Sequence, residues 1–292
     1  MATTFEPDPD TGDPGVPAPY RRIAAGIAAG AVPLAAGAGL GPRIMGALED
    51  PACSLDSVSR LIQVDPLLAA RVVAMANSGY YRRDGRAVAD VRRAVARLGL
   101  VTLRTIVTSM LVRQLAGSPQ DPRLQARLRQ LWRHTIHVAA LAHALARRVT
   151  HQDPEVAFFA GVLHEAAGFC LLAHRQDIPE GTAGAPPDWQ GGGEACVGRA
   201  LFERLEVPVE VRAAVESLWD GYLAIPPASL GDTLLLAEEL APVASPLYWN
   251  PDPQTLETAG SPQIEIVLDQ ATLTEVLADS RDEVESLAQA LL

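Results

Sequence analysis

The sequence predicts an all-α protein made of two packed helical bundles, and three observations support this. Apolar residues make up 48% of the 292 residues and aromatic residues only 5%, with Ala and Leu dominating. Ala and Leu are strong helix formers. Sharp helix starts recur, as at Asp65-Pro66, where an N-cap residue precedes a proline at the first helical position. Only residues 264–268 resemble a strand, so we expect helices throughout.

The first bundle is predicted from caps and apolar spacing. Ser54 can cap a helix whose apolar residues recur at helical spacing, and Asp90 can open another that ends at Gly99. Thr102 is predicted to cap the next, which ends near Leu115. The remaining predicted helices of this bundle cover residues 20–30, 41–48 and 66–76.

The second set begins after a short linker at residues 117–122. It starts with one long helix over 123–149, and a second over 153–173 follows. Further helices are predicted at 194–206, 208–219, 230–240 and 272–291. The predicted organisation is a disordered acidic tail (1–18), an N-terminal helical subdomain (19–118), a second helical subdomain (119–242), and an irregular linker with a C-terminal helix (243–292).

The composition excludes several functions. All 24 basic residues are arginine, so the chain has no lysine for a P-loop or for a pyridoxal Schiff base. The three cysteines, Cys53, Cys170 and Cys196, show no metal-binding or disulfide spacing, which fits a reducing cytoplasm. An uncharged run follows Arg21-Arg22, but it is mostly Ala and Gly and is broken by Pro33. We therefore expect a cytoplasmic protein without a membrane partner.

Charge is distributed unevenly along the chain. The net charge is −11, yet residues 82–148 carry 14 arginines against three acids, which gives this segment +11 and the remainder −22. Such asymmetry fits an anionic partner, or docking against the acidic part of the same chain or of a second copy. The candidate residues for binding an anion or a partner are Arg92, Arg93, Arg97, Arg104, Arg129 and Arg133.

Several spaced motifs resemble those of one known family. In order, they are Leu61-Ile-Gln-Val-Asp65-Pro66, Ala76-Asn77-Ser78-Gly79-Tyr80-Tyr81, Leu98-Gly99-Leu100, Leu131-Trp132-Arg133-His134 and Gly161-Val-Leu-His164-Glu165. Together they resemble the HDOD domains over about residues 30–240. The resemblance implies an all-α fold related to the HD phosphohydrolases, with the second bundle a degenerate HD-like fold, and a role in bacterial signal transduction.

The resemblance also implies which residues occupy the former metal site. HD-type hydrolases hold a divalent metal with a histidine, a His-Asp doublet and a later aspartate. The matching positions here are His134, His164 with Glu165, and Glu238 or Glu239. Both aspartates are therefore glutamates, whose carboxylates lie about 1 Å farther out, and such a displacement can disable a metal-activated water.

Further departures from the family pattern concern a second metal. Where two-metal relatives carry extra histidines, this sequence has Glu194, Leu218 and Trp219, and the lysine expected after the doublet is missing. We therefore expect vestigial metal positions, no catalytic residue and no cofactor. A single weak ion on His134, His164 and Glu238 stays open, as does a metal pair of His134 with its i+3 neighbour His137.

Three functions follow, in order of preference. The first is a non-enzymatic signalling module that binds a protein partner. The second is a sensor that binds a cyclic dinucleotide or nucleic acid through the arginine-rich segment. The third is a residual metal-dependent phosphohydrolase. The partner, the input signal and a homodimer are left undecided by the sequence, as is the role of the C-terminal helix.

Overall fold

The computed structural model describes residues 15–30, 40–82, 85–117, 119–174, 192–221, 223–247 and 270–291. These residues form twelve α-helices and, within these ranges, no strand. The all-α class is therefore confirmed. Most of the predicted acidic tail, the candidate strand at 264–268 and the glycine-rich loop before residue 192 lie outside the described residues.

The first set holds five helices in chain order. They are α1 (Ala18–Ala28), α2 (Leu40–Glu49), α3 (Leu55–Ile62), α4 (Pro66–Ala76) and α5 (Val91–Leu115). The predicted caps form: Ser54, Asp65 and Asp90 each accept a backbone N–H from the first turn of the helix that follows.

Helix α5 corrects one detail of the prediction. It bends at Gly99, whose φ of 75° lies in the left-handed region that favours glycine. A helix end was predicted at this residue. Thr102 does not cap the next segment. Its hydroxyl instead lies 2.9 Å from the carbonyl oxygen of Leu98 and 2.8 Å from Oε2 of Glu155, either of which can accept its one proton.

The second set continues the chain with seven helices. They are α6 (Pro122–Leu145), α7 (Pro154–Leu163), α8 (Ala166–Ala173), α9 (Glu194–Arg204), α10 (Val209–Asp220), α11 (Leu230–Glu239) and α12 (Gln270–Leu291). A π-helical turn, Ala146–Thr150, ends α6. The long helix predicted over 153–173 is two helices, broken at His164 and Glu165.

One hydrophobic core runs through both sets. Helix α6 is its centre and packs against α7, α11 and α12, while α5 reaches across to α7 and α8. Helix α1 belongs to the first set in chain order but packs against α9 of the second set. By length and composition, Val91–Leu115 and Pro154–Ala173 could cross a membrane, but 61% and 89% of their most apolar 18-residue windows are buried inside the fold.

The C-terminal helix α12 docks onto α6 and α4. Leu287 and Leu291 are buried, and the Ser286 hydroxyl accepts the backbone N–H of Gly79. The amphipathic helix therefore covers the surface of its own chain along these residues.

Candidate functional site

The four residues singled out as metal positions come together in the second set. His134 lies in the middle of α6, His164 ends α7, Glu165 precedes α8, and Glu238 lies in the last turn of α11. The break between α7 and α8 falls at the His164-Glu165 doublet. It turns both of these side chains towards His134.

Backbone carbonyls fix the orientation of both imidazole rings. The Nδ1 of His134 lies 2.6 Å from the carbonyl oxygen of Val243, and the Nδ1 of His164 lies 2.6 Å from that of Gly161. Each Nδ1–H donates to its carbonyl, so each ring directs Nε2 into the site. The two Nε2 atoms are 3.2 Å apart. This is how proteins orient metal-binding histidines.

Two carboxylates converge on the same point. Oε2 of Glu238 lies 3.1 Å from Nε2 of His134 and 3.3 Å from Nε2 of His164. Oε1 of Glu165 lies 3.7 Å from Nε2 of His134 and accepts a hydrogen bond from the Ser245 hydroxyl. Oε2 of Glu165 is buried without a hydrogen-bond partner among the described residues.

The electrostatics of the group are those of a buried charge pair. Burial lowers the pKa of His134, but Glu165 and the hydrogen bond to Glu238 outweigh it and raise that pKa to about 9. Burial raises the pKa of Glu238, yet the neighbouring His134 and His164 hold it well below its usual range. Burial also raises the pKa of Glu165. Without a metal, the imidazolium of His134 therefore donates to the carboxylate of Glu238.

The donor set fits one divalent ion. Bonds of 2.0–2.2 Å in a tetrahedral site place neighbouring ligand atoms about 3.4 Å apart, and the four separations given above, all measured to a histidine Nε2, span 3.1–3.7 Å. His134, His164 and Glu165 offer ligand atoms that all lie within 4.8 Å of one another. The buried, unpartnered Oε2 of Glu165 is a further donor. The additional methylene of each glutamate does not keep its carboxylate out of the site. An ion held here would polarise a phosphoryl oxygen and lower the pKa of a bound water.

The group is enclosed, however. The side chains of His134 and Glu165 are 1% and 0% exposed, and only Glu238, at 21%, reaches solvent. The segment that contains Val243 and Ser245 bonds directly to two of the donors and closes one side. Two cavities of the described residues lie elsewhere in the fold, and none of the four side chains lines either of them. Closed coordination is typical of structural rather than catalytic metal sites.

The outer positions offer no histidine for a second ion. Trp219 stacks on the ring of Phe202 at 6.0 Å, and Glu194 is buried in the first turn of α9. Glu239 is exposed, so Glu238 is the residue that matches the later metal-binding aspartate of HD-type hydrolases. His137 bonds the carbonyl of Arg133 in its own helix and is not among the converging donors.

The candidate arginines separate into two groups. Four of them have partners within the fold. Arg92 pairs with Asp56, Arg93 with Asp90 and Arg104 with Glu49, and Arg97 donates to the carbonyls of Ala76 and Arg86. Arg129 and Arg133 have no ion-pair partner in the described part of the chain, and both line a cavity.

A second buried polar cluster was missed by the sequence analysis. His143 is fully buried between Glu155 of α7 and Glu283 of α12, at 3.9 Å and 3.4 Å. Arg147 pairs with Glu283 at 2.6 Å, and Tyr81 donates to Glu155. No sequence signal links these residues, which come from four separate segments. The cluster joins α12 to the rest of the fold.

Replacing Glu283 by glutamine tests this link. Burial alone would raise the pKa of Glu283, but His143 and Arg147 outweigh it and hold the pKa below its usual range. A carboxylate of lowered pKa stabilises the fold above its unfolded pKa of about 4.3, and the contribution is lost as pH falls through the lower folded value. We expect Glu283→Gln to cost about 1–3 kcal/mol at pH 7.

Chemical unfolding of both proteins from pH 7 down to pH 3 measures this effect. The difference between wild type and Glu283→Gln should shrink at the acid end. The matched control is Asp282→Asn, an exposed position on the same helix, which should change stability by less than about 0.5 kcal/mol. A pH-independent difference would contradict the assignment of the effect to the Glu283 charge.

Comparisons with known proteins agree with this fold. A proposed metal-dependent phosphohydrolase from Shewanella amazonensis superposes with a TM-score of 0.64 at 20% identity, covering 94% of this chain and 100% of that one. An HDOD domain protein of unknown function from Geobacter sulfurreducens has a TM-score of 0.56 at 23% identity, with 87% and 91% covered.

A proposed signal transduction protein from Marinobacter aquaeolei has a TM-score of 0.53 at 20% identity, with 86% of this chain and 58% of that one covered. At these identities the likenesses show the fold alone. No curated protein matches the sequence. The model of the HDOD domain matches residues 38–185, slightly more than half of the chain, and the protein therefore belongs to the HDOD domain family.

Proposed function

We propose that this protein is a regulatory module that acts by binding another protein and does not hydrolyse phosphoesters. The enclosure of the His134, His164, Glu165 and Glu238 group carries the proposal. A phosphoester needs an open coordination position beside the metal, whereas three of these four side chains are almost fully buried. The Marinobacter protein is described as a proposed signal transduction protein, which agrees with a regulatory role.

Hydrolysis assays test the proposal directly. Wild type and His164→Ala are incubated with Mn²⁺ and with bis-p-nitrophenyl phosphate or p-nitrophenyl phosphate. We expect no rate above that of the His164→Ala variant for either substrate. A Mn²⁺-dependent rate in wild type that disappears in the variant would contradict the proposal.

A second candidate, a single-metal phosphohydrolase, is favoured by the two carboxylates beside the histidines, whose oxygens lie 3.1–3.7 Å from the Nε2 atoms. Metal analysis of the purified protein, combined with the hydrolysis assay, distinguishes the regulatory module from the single-metal phosphohydrolase. Glu238→Gln removes a donor, and Glu239→Gln is the matched control on the adjacent, exposed residue. Metal content and hydrolysis that both depend on Glu238 but not on Glu239 would support the hydrolase. Metal without hydrolysis would support a structural ion in a regulatory module.

A further inference from the structure

A cavity of about 570 Å³ lies where the end of α5, the linker after it, the first half of α6 and α8 meet. Its volume lies within the roughly 300–1,000 Å³ typical of small-molecule sites. The side chains that matter for its chemistry are Arg113, Arg129 and Arg133, with Leu128, Trp132 and Phe169 as apolar walls.

The charge of this cavity is opposite to that of the whole protein. The chain carries a net charge of −11, yet the described residues that line the cavity include three arginines, two glutamines and no acid. Within the described part of the chain, none of the three arginines forms an ion pair. Arg113 also lowers the pKa of Arg71, in addition to the effect of burial on that group. Among the described residues, the three arginines therefore bring positive charge to a cavity whose lining contains no acidic side chain.

Two aromatic rings, Trp132 and Phe169, form part of the apolar wall. Trp132 is 4% exposed and meets Phe169 edge to face, with the ring centroids 6.1 Å apart. The guanidinium of Arg113 lies 5.5 Å above the Trp132 ring, a cation–π distance that positions this arginine at the cavity. Guanidinium groups can also stack on a planar ligand while they bind phosphate oxygens.

The cavity is separate from the histidine and glutamate group. The two share no residue. Trp132 and His134 are two positions apart on α6, which places them about 200° apart around the helix. A ligand of the cavity would therefore contact α6 on a different face from the buried donors.

We propose that this cavity binds a nucleotide, with its phosphates on Arg113, Arg129 and Arg133 and its base against the apolar wall. Arginine forks match phosphate oxygens in pairs, and aromatic and apolar side chains suit the flat face of a base. This is a ligand site beyond the proposed protein-binding role, and it stands whether or not that role is correct.

Calorimetric titration of the full-length protein tests the proposal. The probes are AMP, ADP, GMP and GDP, with adenosine, guanosine and pyrophosphate as partial ligands. The test variant is Arg129→Gln/Arg133→Gln. The control is Arg123→Gln/Arg127→Gln, which removes the same charge from the same helix at positions that do not line the cavity. Circular dichroism confirms that both variants are folded; if the test variant is not, the single Arg133→Gln change replaces it.

We expect at least one nucleotide to bind more tightly than its nucleoside and than pyrophosphate. Each removed arginine should weaken binding about tenfold, the size of one charge-assisted hydrogen bond, while the control variant stays within about twofold. The proposal is overturned if no nucleotide binds at 1 mM, if pyrophosphate binds as tightly as the nucleotides, or if the control variant loses as much affinity as the test variant.

Discussion

Replacing Gly161 by alanine is expected to destabilise the protein by about 3 kcal/mol or more. Of the changes that add a single methyl group, it is the one for which we predict the largest loss of stability. A Cβ at this position would clash with the Cα of Ala139 and would lie 3.0 Å from its backbone nitrogen. These atoms are backbone, so the clash is not relieved by turning a side chain, and overpacking of this kind is costly. Helices α6 and α7 would have to move apart.

That movement would reach the candidate site. The carbonyl of Gly161 accepts the Nδ1–H of His164, and His134 lies on the other helix of the pair. We therefore expect Gly161→Ala to disturb the positions of both histidines as well as the global stability. Urea unfolding followed by circular dichroism measures the stability.

Gly46 provides the matched control. It is also a helical glycine, it is exposed, and a Cβ there would meet nothing within 4 Å. Alanine at this position should stabilise the protein by up to about 1 kcal/mol, because it favours the helix. If Gly161→Ala unfolds within 1 kcal/mol of wild type, the close contact of α6 with α7 is not as tight as the structure shows.

Much of the helix pattern could be predicted because its signals are local. Ser54, Asp65 and Asp90 cap the helices expected of them, and Gly99 bends the chain where a glycine end was predicted. The break at the His164-Glu165 doublet could not be predicted in this way. The apolar run from Ala157 to Ala173 contains no proline, and long-range packing rather than local preference ends α7.

The candidate site could likewise be predicted from the sequence only in part. The resemblance to HDOD domains supplied the four donor residues, and the phase of α11 then selects Glu238 over Glu239. The closure of the site could not be predicted from the sequence. It depends on Val243 and Ser245, which lie in an irregular segment more than 70 residues from the His164-Glu165 doublet. For the same reason, the partners of His143 and the cavity beside Trp132 became visible only in three dimensions.

Glu238→Gln should also be strongly destabilising, with a cost of about 3–5 kcal/mol when metal is removed by a chelator. The carboxylate of Glu238 accepts from His134 at 3.1 Å and lies 3.3 Å from His164. Both rings are almost fully buried. Removing one partner of a buried pair leaves the other charge without compensation. Equilibrium unfolding in EDTA at pH 7 measures the cost without contribution from a bound ion.

Glu239→Gln should behave in the opposite way, although it makes the same chemical change one residue later. Burial and the neighbouring Glu238 raise the pKa of Glu239, so its charge is unfavourable in the folded protein. Neutralising it should therefore stabilise the protein slightly or have no effect, within about 0.5 kcal/mol. Equal losses in the two variants would show that α11 tolerates no glutamine at either position. The buried pair would then have no special part in holding α6, α7 and α11 together.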